Sequence, residues 1–473
     1  MLGLFGTLNL GARSLQTQQQ GVEVAGHNLA NASNTAYSRQ RLQIQASAPL
    51  LTSIGSAGTG VDGVAITQLR NAFLDQQIQG ETSVTSFLQS QQTALQYAQT
   101  GIGEQLQGNN STAGATGDVG STGALASDLS GLFNAFQNLS TTPSSITSRQ
   151  AVISQAQQLT SQFNQLDQRL ASINGQLNQS VQTDVTSANQ FLSDIAKLNK
   201  QITLSETATS GTANDLRDLR QQKVESLAKL VNFQSATTPE GAVNISVGGN
   251  LLVAGTNVQD TLQTYDSGGG QLLVRTAGSG AALTLSGGSI AGTIDARDGA
   301  LKSLRDGLNN LATQLISQVN TTYRAGYDLN GNTGADFFTG TNAGDIGINA
   351  ALVNDPSALQ ASGVAGASGN NQVVLALAQM ANTTQASLGN QTFAQSYNGT
   401  VTNLGLALNS VNTQLSDQQS VQSMLQTQRS SVSGVSVDEE MTSLLMFQKA
   451  FQASGHLVSV VDQMLGIVVN LGQ

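Results

Sequence analysis

Two interleaved rows of apolar residues occupy positions 152–177: Val152, Leu159, Leu166 and Ile173 in one, Ala156, Phe163, Leu170 and Leu177 in the other. Each row repeats every seven residues, so the two together keep a spacing of three and four over nearly four heptads. That pattern commits the stretch to a long helix whose apolar stripe must be covered by other helices. Phe191, Ile195, Leu198 and Ile202 continue it. A loop at 205–214 precedes a further helix bearing Leu216, Leu219, Val224, Leu227 and Leu230. Shorter stripes stand on either side: Val84 to Ile102, Leu125 to Leu139, Leu301 to Val319 and Val401 to Leu415. The polar run GNNSTAGATGDVGSTG at 108–123 reads as a flexible break. The expectation is a long antiparallel helix bundle.

The two ends of the chain carry seams of their own. Met1, Leu8, Leu15, Val22 and Leu29 recur every seven residues, and the seam stops at the turn-like Asn31-Ala32-Ser33-Asn34. Leu444, Phe447, Phe451, Val458, Val461, Leu465 and Val468 fall on one face, broken only by Ser454. Ser436 and Glu439 fit a capping box, and Asp438, Glu439 and Glu440 stand in the first turn, where the helix dipole favours acids. A helix over 437–473 would be roughly 55 Å long. Neither seam has a partner nearby in sequence. The two are expected to pair as terminal coiled-coil helices, and exposed apolar stripes of this kind imply association with neighbours.

The period changes near Gly241. Val243, Ile245 and Val247 alternate, Gly248-Gly249-Asn250 turns the chain, and short apolar runs follow between glycine-rich turns, which predicts β structure. Residues 326–370 read as loop or strand. The fold class expected is therefore mainly α with an inserted β-rich domain. The expected division is a terminal coiled-coil domain (1–45 with 436–473), a helical bundle domain (46–240 with 296–325 and 371–435) and an outward β-rich domain (241–295 with 326–370). A 55-residue β segment is too small to be comfortably stable alone, which is why 326–370 is assigned to it.

Composition narrows the function. Charged residues are 10% of the chain, against roughly 25% in ordinary globular proteins. Most of what is neither apolar nor glycine is Ser, Thr, Asn or Gln, so the surface is polar but largely uncharged. A net charge of −10 argues against nucleic acid as a partner. Cysteine is absent, which excludes disulfides and thiolate chemistry. No apolar run approaches the ~20 residues of a membrane span, and the start of the chain lacks the basic and apolar segments of a secretory signal. No carboxylate, histidine or serine constellation stands out, so no catalytic residue, cofactor or metal site is expected.

The segment Asn28-Leu29-Ala30-Asn31-Ala32-Ser33-Asn34-Thr35-Ala36-Tyr37-Ser38-Arg39-Gln40 resembles the N-terminal signature of bacterial flagellar rod, hook and hook-associated proteins. Thr35-Ala36 stands where that family often has Pro-Gly or Ala-Gly. SGVSVDEEMTSLLMFQKAFQASGHLVSVVDQML at 433–465 resembles the shared C-terminus of the same axial proteins. Internal segments at 139–159, 195–202, 214–231, 319–338 and 354–371 are similar to the hook-associated branch, in order. The resemblance implies a non-enzymatic, self-assembling subunit at the junction of hook and filament, outside the cell, exported by the flagellar type III apparatus without a cleaved signal. It implies as partners further copies of itself, the hook protein, a second junction protein and an export chaperone. It carries the axial motif onto Asn28, Asn31, Tyr37, Ser38, Arg39 and Gln40. A secreted adhesin-like binding module, or another axial protein, is the alternative.

Three local patterns compete with structural readings. Gly58, Gly60 and Gly63 spell G-x-G-x-x-G, but Val64-Ala65-Ile66-Thr67 after them reads as extended, so a turn is expected rather than a dinucleotide site. Asp328, Asn330, Asn332 and Asp336 suggest a calcium loop, yet positions six and twelve are Thr333 and Thr339 instead of Gly and Glu. His27 and His456 would meet if the ends paired, but two histidines make no metal site by themselves.

Overall fold

The computed structural model describes residues 3–52, 55–103, 124–208 and 212–471. Met1 of the N-terminal row, the expected break at 108–123, and residues 209–211 of the expected loop lie outside the described residues. Helix α1 (Leu4–Ala30) leads into a ribbon of four strands, β1 (Gln40–Ala46), β2 (Leu50–Thr52), β3 (Gly55–Ala57) and β4 (Val61–Gln68). In it β1 pairs antiparallel with β4, and β2 with β3. Helices α2 (Ala72–Ile102), α3 (Ala124–Thr141), α4 (Ile146–Ala208) and α5 (Asn214–Leu230) follow. Then come β5 (Gln234–Thr237), β6 (Val243–Val247), β7 (Asn250–Ala254) and β8 (Asn257–Val258), an antiparallel meander, and the hairpin β9 (Leu262–Asp266) and β10 (Leu272–Thr276). Helix α6 (Gly288–Ala296) runs through a π-helical turn (Arg297–Leu301) into α7 (Lys302–Tyr323). The chain closes with β11 (Phe338–Thr339), β12 (Gly347–Ile348), α8 (Ala350–Asn354), α9 (Gln372–Gln379), α10 (Phe393–Ser433) and α11 (Val437–Leu471).

Helix α4 is 63 residues long and serves two hydrophobic cores in succession. Its first half buries Val152, Leu159, Phe163, Leu166 and Leu170 with residues of α2, α3, α7, α9 and α10. Its second half buries Val181, Val185, Leu192 and Ile195 under α5 and the β strands, where Ile245, Val247, Leu252 and Val253 are fully or almost fully enclosed. The long helices α2 and α10 run antiparallel, tied by Gln92 to Asn412 and Gln422 to Thr82. Thr392 and Gln395 form a reciprocal capping box that starts α10.

The strands sit on α4 through asparagines as well as apolar side chains. Asn178 donates to the Gly270 carbonyl and accepts from the Leu272 amide; Asn189 does both with Leu262. Asn199 donates to the Val243 and Gly255 carbonyls and accepts from the Val243 amide. An amide side chain offers the same donor and acceptor as a peptide group, so each asparagine stands in for a neighbouring strand. The three lie about three turns apart along one helix, which matches the 3.6-residue repeat.

Two expectations are corrected here. Residues 288–295, assigned to the β-rich domain, are helical: Gly288 and Gly292 let α6 lie against other backbone, and a Cβ on Gly292 would sit 2.1 Å from the Phe87 carbonyl oxygen. The segments 241–295 and 326–370, expected in one domain, fill different cores. Phe337, Phe338, Ile346 and Leu352 pack into the first core, whereas the strands of 243–276 close the second. Arg149, 1% exposed, holds part of the later segment down by donating to the Pro143 and Leu359 carbonyls. The β segment is no detachable insert, because without it α4 and α5 would present Val185, Leu192 and Leu227 to water.

Asn199 is fully buried and also accepts from the Arg220 guanidinium at 2.9 Å. Asn199→Leu keeps the γ-branched shape but strands the Val243 amide, two carbonyls and part of a buried charge. The expected cost is at least about 3 kcal/mol, read as a lower urea midpoint in chemical denaturation.

Candidate functional site

Helices α1 and α11 run antiparallel along each other, with Ser14 Oγ 2.8 Å from Ser454 Oγ and Asn28 beside Glu440. Close packing depends on residues with almost no side chain. A Cβ on Gly11 would lie 2.6 Å from Val458 Cγ2, and one on Gly21 would lie 2.6 Å from the Phe447 ring. The two apolar knobs of α11 therefore rest on α1 backbone. Val24, Ala25 and Val461 are buried as well. Leu8, Leu15, Val22, Leu29, Leu444, Phe447, Val458 and Leu465 are half-buried, while Phe451 (39% exposed) and Val468 (55%) face largely outward. Apolar periodicity overlooked the glycines, whose contribution is the absence of a side chain. A stripe of small residues at Gly11, Ser14, Thr17, Gly21 and Ala25 was the available signal.

The N-terminal motif folds into a polar joint at the end of this pair. Asn28 Oδ1 accepts from Tyr37 Oη–H (2.7 Å) and the Gln40 amide (2.9 Å), while its Nδ2 donates to the Gln40 carbonyl (2.8 Å) and Glu440 (3.1 Å). Arg39 bridges Glu439 and Glu440 at 2.7 Å each, and its amide donates to the Ser433 carbonyl. The Glu439 carboxylate is thus turned to Arg39, while its backbone N–H lies 3.5 Å from Ser436 Oγ. The Ser38 amide donates to Asp218, and Gln40 Nε2 donates to Asp215, both on α5. Asn31 caps the end of α1 by donating to the His27 carbonyl. Burial, followed by the neighbouring Asp215, Asp218 and Glu440, pushes the Tyr37 hydroxyl well above the ordinary tyrosine range. Burial likewise raises the Asp218 carboxyl, against the Ser38 bonds, Arg70 and Gln68, which lower it. Sequence reasoning did not place Asp215, Asp218 and Arg70 in this joint, because they are distant in sequence from the motif residues they bond.

Beside the buried seam, α11 carries a second apolar row. Met446, Ala450, Ala453, Leu457, Val460, Met464 and Ile467 follow one another at intervals of four and three. Met446, Met464 and Ile467 are about half exposed or more, and Leu457 and Val460 are exposed too. Within the described residues α11 packs chiefly on α1, so this row is left to solvent.

The competing patterns resolve as turns and caps. Gly60 (φ +111°) turns the chain into β4 against Leu10, and a strand follows. Asp328 Oδ1 accepts from the Asn330 and Asn332 amides, and Asp336 pairs with Arg324, so the loop's carboxylates are already engaged by protein donors. His27 lies against Tyr37 and Asp215, whereas His456 is nearer the other end of the pair, at the level of Ser14. Among the described residues no three His, Cys, Asp or Glu side chains are placed to hold a metal ion, and no helix is long and apolar enough to cross a membrane.

Comparison with known proteins bears on this arrangement directly. Residues 115–338 match the family described as flagellar hook-associated protein FlgK helical domain, and residues 426–471 match the flagellar basal body rod FlgEFG protein C-terminal family. The chain is 26% identical to flagellar hook-associated protein 1 of Bacillus subtilis over 516 aligned positions, spanning 99% of both proteins. It is 27% identical to that of Escherichia coli over 77% of this chain and 67% of the relative. The structure of the flagellar hook junction protein FlgK from Burkholderia pseudomallei superposes with a TM-score of 0.63 at 17% identity, covering 76% of this chain and all of the other, and so shares its fold. A helical body with paired terminal helices and these matches define a structural protein of the flagellar axis. Among such proteins, the chain is similar over nearly its whole length to flagellar hook-associated protein 1.

Gly21→Val would drive a branched side chain into the Phe447 ring and part the two helices. Amide exchange over 4–30 and 437–471 is expected to accelerate at least tenfold, with protection of the two body cores unchanged.

Proposed function

We infer that this chain is a structural subunit of the flagellar hook–filament junction, with no catalysis of its own. The observation that carries the reading is the second heptad row on α11, a seam ready for another helix beside one already filled by α1. In this reading the terminal pair packs against the pairs of neighbouring copies, and the two-core body stands away from the axis. One kind of subunit meets hook protein on one side and a second junction protein on the other. Such contacts are head-to-tail and build a ring or helical array rather than a closed dimer. Delivery outside the cell by the flagellar export apparatus, with a chaperone guarding the apolar row, completes the proposal.

Leu457→Asp with Met464→Asp tests it. Each site loses the roughly 1.5–3 kcal/mol gained by burying such a side chain and gains a charge that must be desolvated. The doubly substituted chain is expected to be soluble, with unchanged circular dichroism, and to leave cells with hooks but no attached filaments. Normal filaments on such cells would overturn the reading. Val458→Asp is expected to block attachment as well, but also to open the α1–α11 contact at Gly11.

A further inference from the structure

Helices α2 and α4 flank a cleft of about 570 Å³ closed below by α6, within the roughly 300–1,000 Å³ usual for small-molecule sites. Gln89, Thr93 and Tyr97 stand one turn apart on α2, and Gln176, Ser180 and Asp184 one turn apart on α4, so two short ladders line it. Gly101 lies against Ile173, which sets Tyr97 toward the Gln176 end. Leu230 meets Gly288 and Ser289 donates to Asp184, which sets Asp184 and Lys229 toward the other end. From Gln89 to Tyr97 the α2 side runs for about 12 Å, longer than a single small ring. Deeper in, the lining is apolar, with Ala94 and Leu177 buried.

The polar groups of the cleft have capacity to spare. Among the described residues the side chains of Gln89, Ser180 and Lys229 make no hydrogen bond or ion pair. The Thr93 hydroxyl donates to the Gln89 carbonyl and keeps its lone pairs for another donor. Asp184, half-buried, takes the Ser289 hydroxyl on one oxygen and has no cation paired to it. Tyr97 is 48% exposed and offers a ring face. We propose that this cleft binds a short neutral oligosaccharide of gluco-type rings. Such a ring has a flat C–H face for Tyr97 and the apolar lining, and hydroxyls around its edge for the amides, the hydroxyls and the Asp184 carboxylate. Asp184 and Lys229 cancel in charge, which suits an uncharged ligand better than a phosphate or a nucleotide. An extended peptide fits less well: both walls are helices with their backbone groups already paired, so there is no sheet edge for a strand to join. Cleaving a glycosidic bond takes two carboxylates, and among the described lining residues Asp184 is alone, so the cleft holds a sugar without cutting it. None of these residues belongs to α1 or α11, and the inference stands apart from the assembly reading.

Titration calorimetry of the full chain with cellotetraose and with chitotetraose tests it. Saturable binding of at least one is expected, in the millimolar range or tighter. Preference for chitotetraose would assign the cleft to N-acetylated amino-sugar chains, and preference for cellotetraose to plain hexose chains. Tyr97→Ala should weaken binding about tenfold by removing the ring face. Asp184→Asn, which still accepts from Ser289, should weaken it about tenfold by removing the charge-assisted bonds. Gln89→Ala with Ser180→Ala changes two exposed side chains that bond nothing in the protein, so it keeps the fold and should weaken binding as well. Tyr265→Ala, on β9 and outside the cleft, should leave the affinity unchanged. Absence of saturable binding for both sugars would overturn the proposal. So would binding that survives the three cleft variants undiminished, or that Tyr265→Ala weakens as much as they do. Capture of a neutral Gly/Ser peptide by a chain that takes neither sugar would overturn it in favour of a peptide groove. Filament attachment plays no part in these measurements, so their failure leaves the junction reading standing.

Discussion

Everything outside the terminal pair depends on the apolar stripe of α4. A 63-residue helix cannot hold itself in water by propensity alone; it persists because its stripe is covered along its length. The cover changes partway. Around Leu159 and Phe163 it is other helices, and around Val185 and Leu192 it is sheet and α5. One rigid element thus makes two cores into one body, and the strands are placed by the helix on which they lie. The asparagine ladder serves the same end with polar atoms: Asn178, Asn189 and Asn199 offer strand-like partners at fixed heights along α4, so the sheets have a register on the helix as well as among themselves.

The terminal pair is built on another principle. Its contact is made by removing side chains, at Gly11 and Gly21, so that Val458 and Phe447 approach backbone. Its attachment to the body is polar, and a hydrogen-bonded buried network of that sort specifies one arrangement more than it adds adhesion. Asn28 is the centre of it, with both ends of its amide fully used. That gives a physical account of why an asparagine at the end of α1 and a tyrosine nine residues later belong together.

Much of this was legible in the sequence. The rows at 152–177, the two terminal seams and the acidic start of α11 each follow from periodicity or from helix-end electrostatics, which are local properties. What escaped was whatever depends on a missing or neutral side chain, or on distant segments meeting. Gly292 looked like part of a β segment because its helical role is to admit the backbone of Phe87. Phe337 and Phe338 offered apolar surface without saying which core would take it. Asp218 is one acid among many until the fold brings Ser38 to it. The motif residues were recognisable as a set, but their bonding pattern was not, since Glu440 lies 412 positions from Asn28.

The α1–α11 contact joins residues as far apart as Ser14 and Ser454, a separation of 440 positions. During synthesis α1 emerges hundreds of residues before α11, and its glycine-lined face has nothing to receive until then. A chain broken off early, however well its body folds, keeps α1 bare and lacks the exposed apolar row of α11. Pairing the two helices therefore makes that row a late product of translation, present in finished chains and missing from fragments.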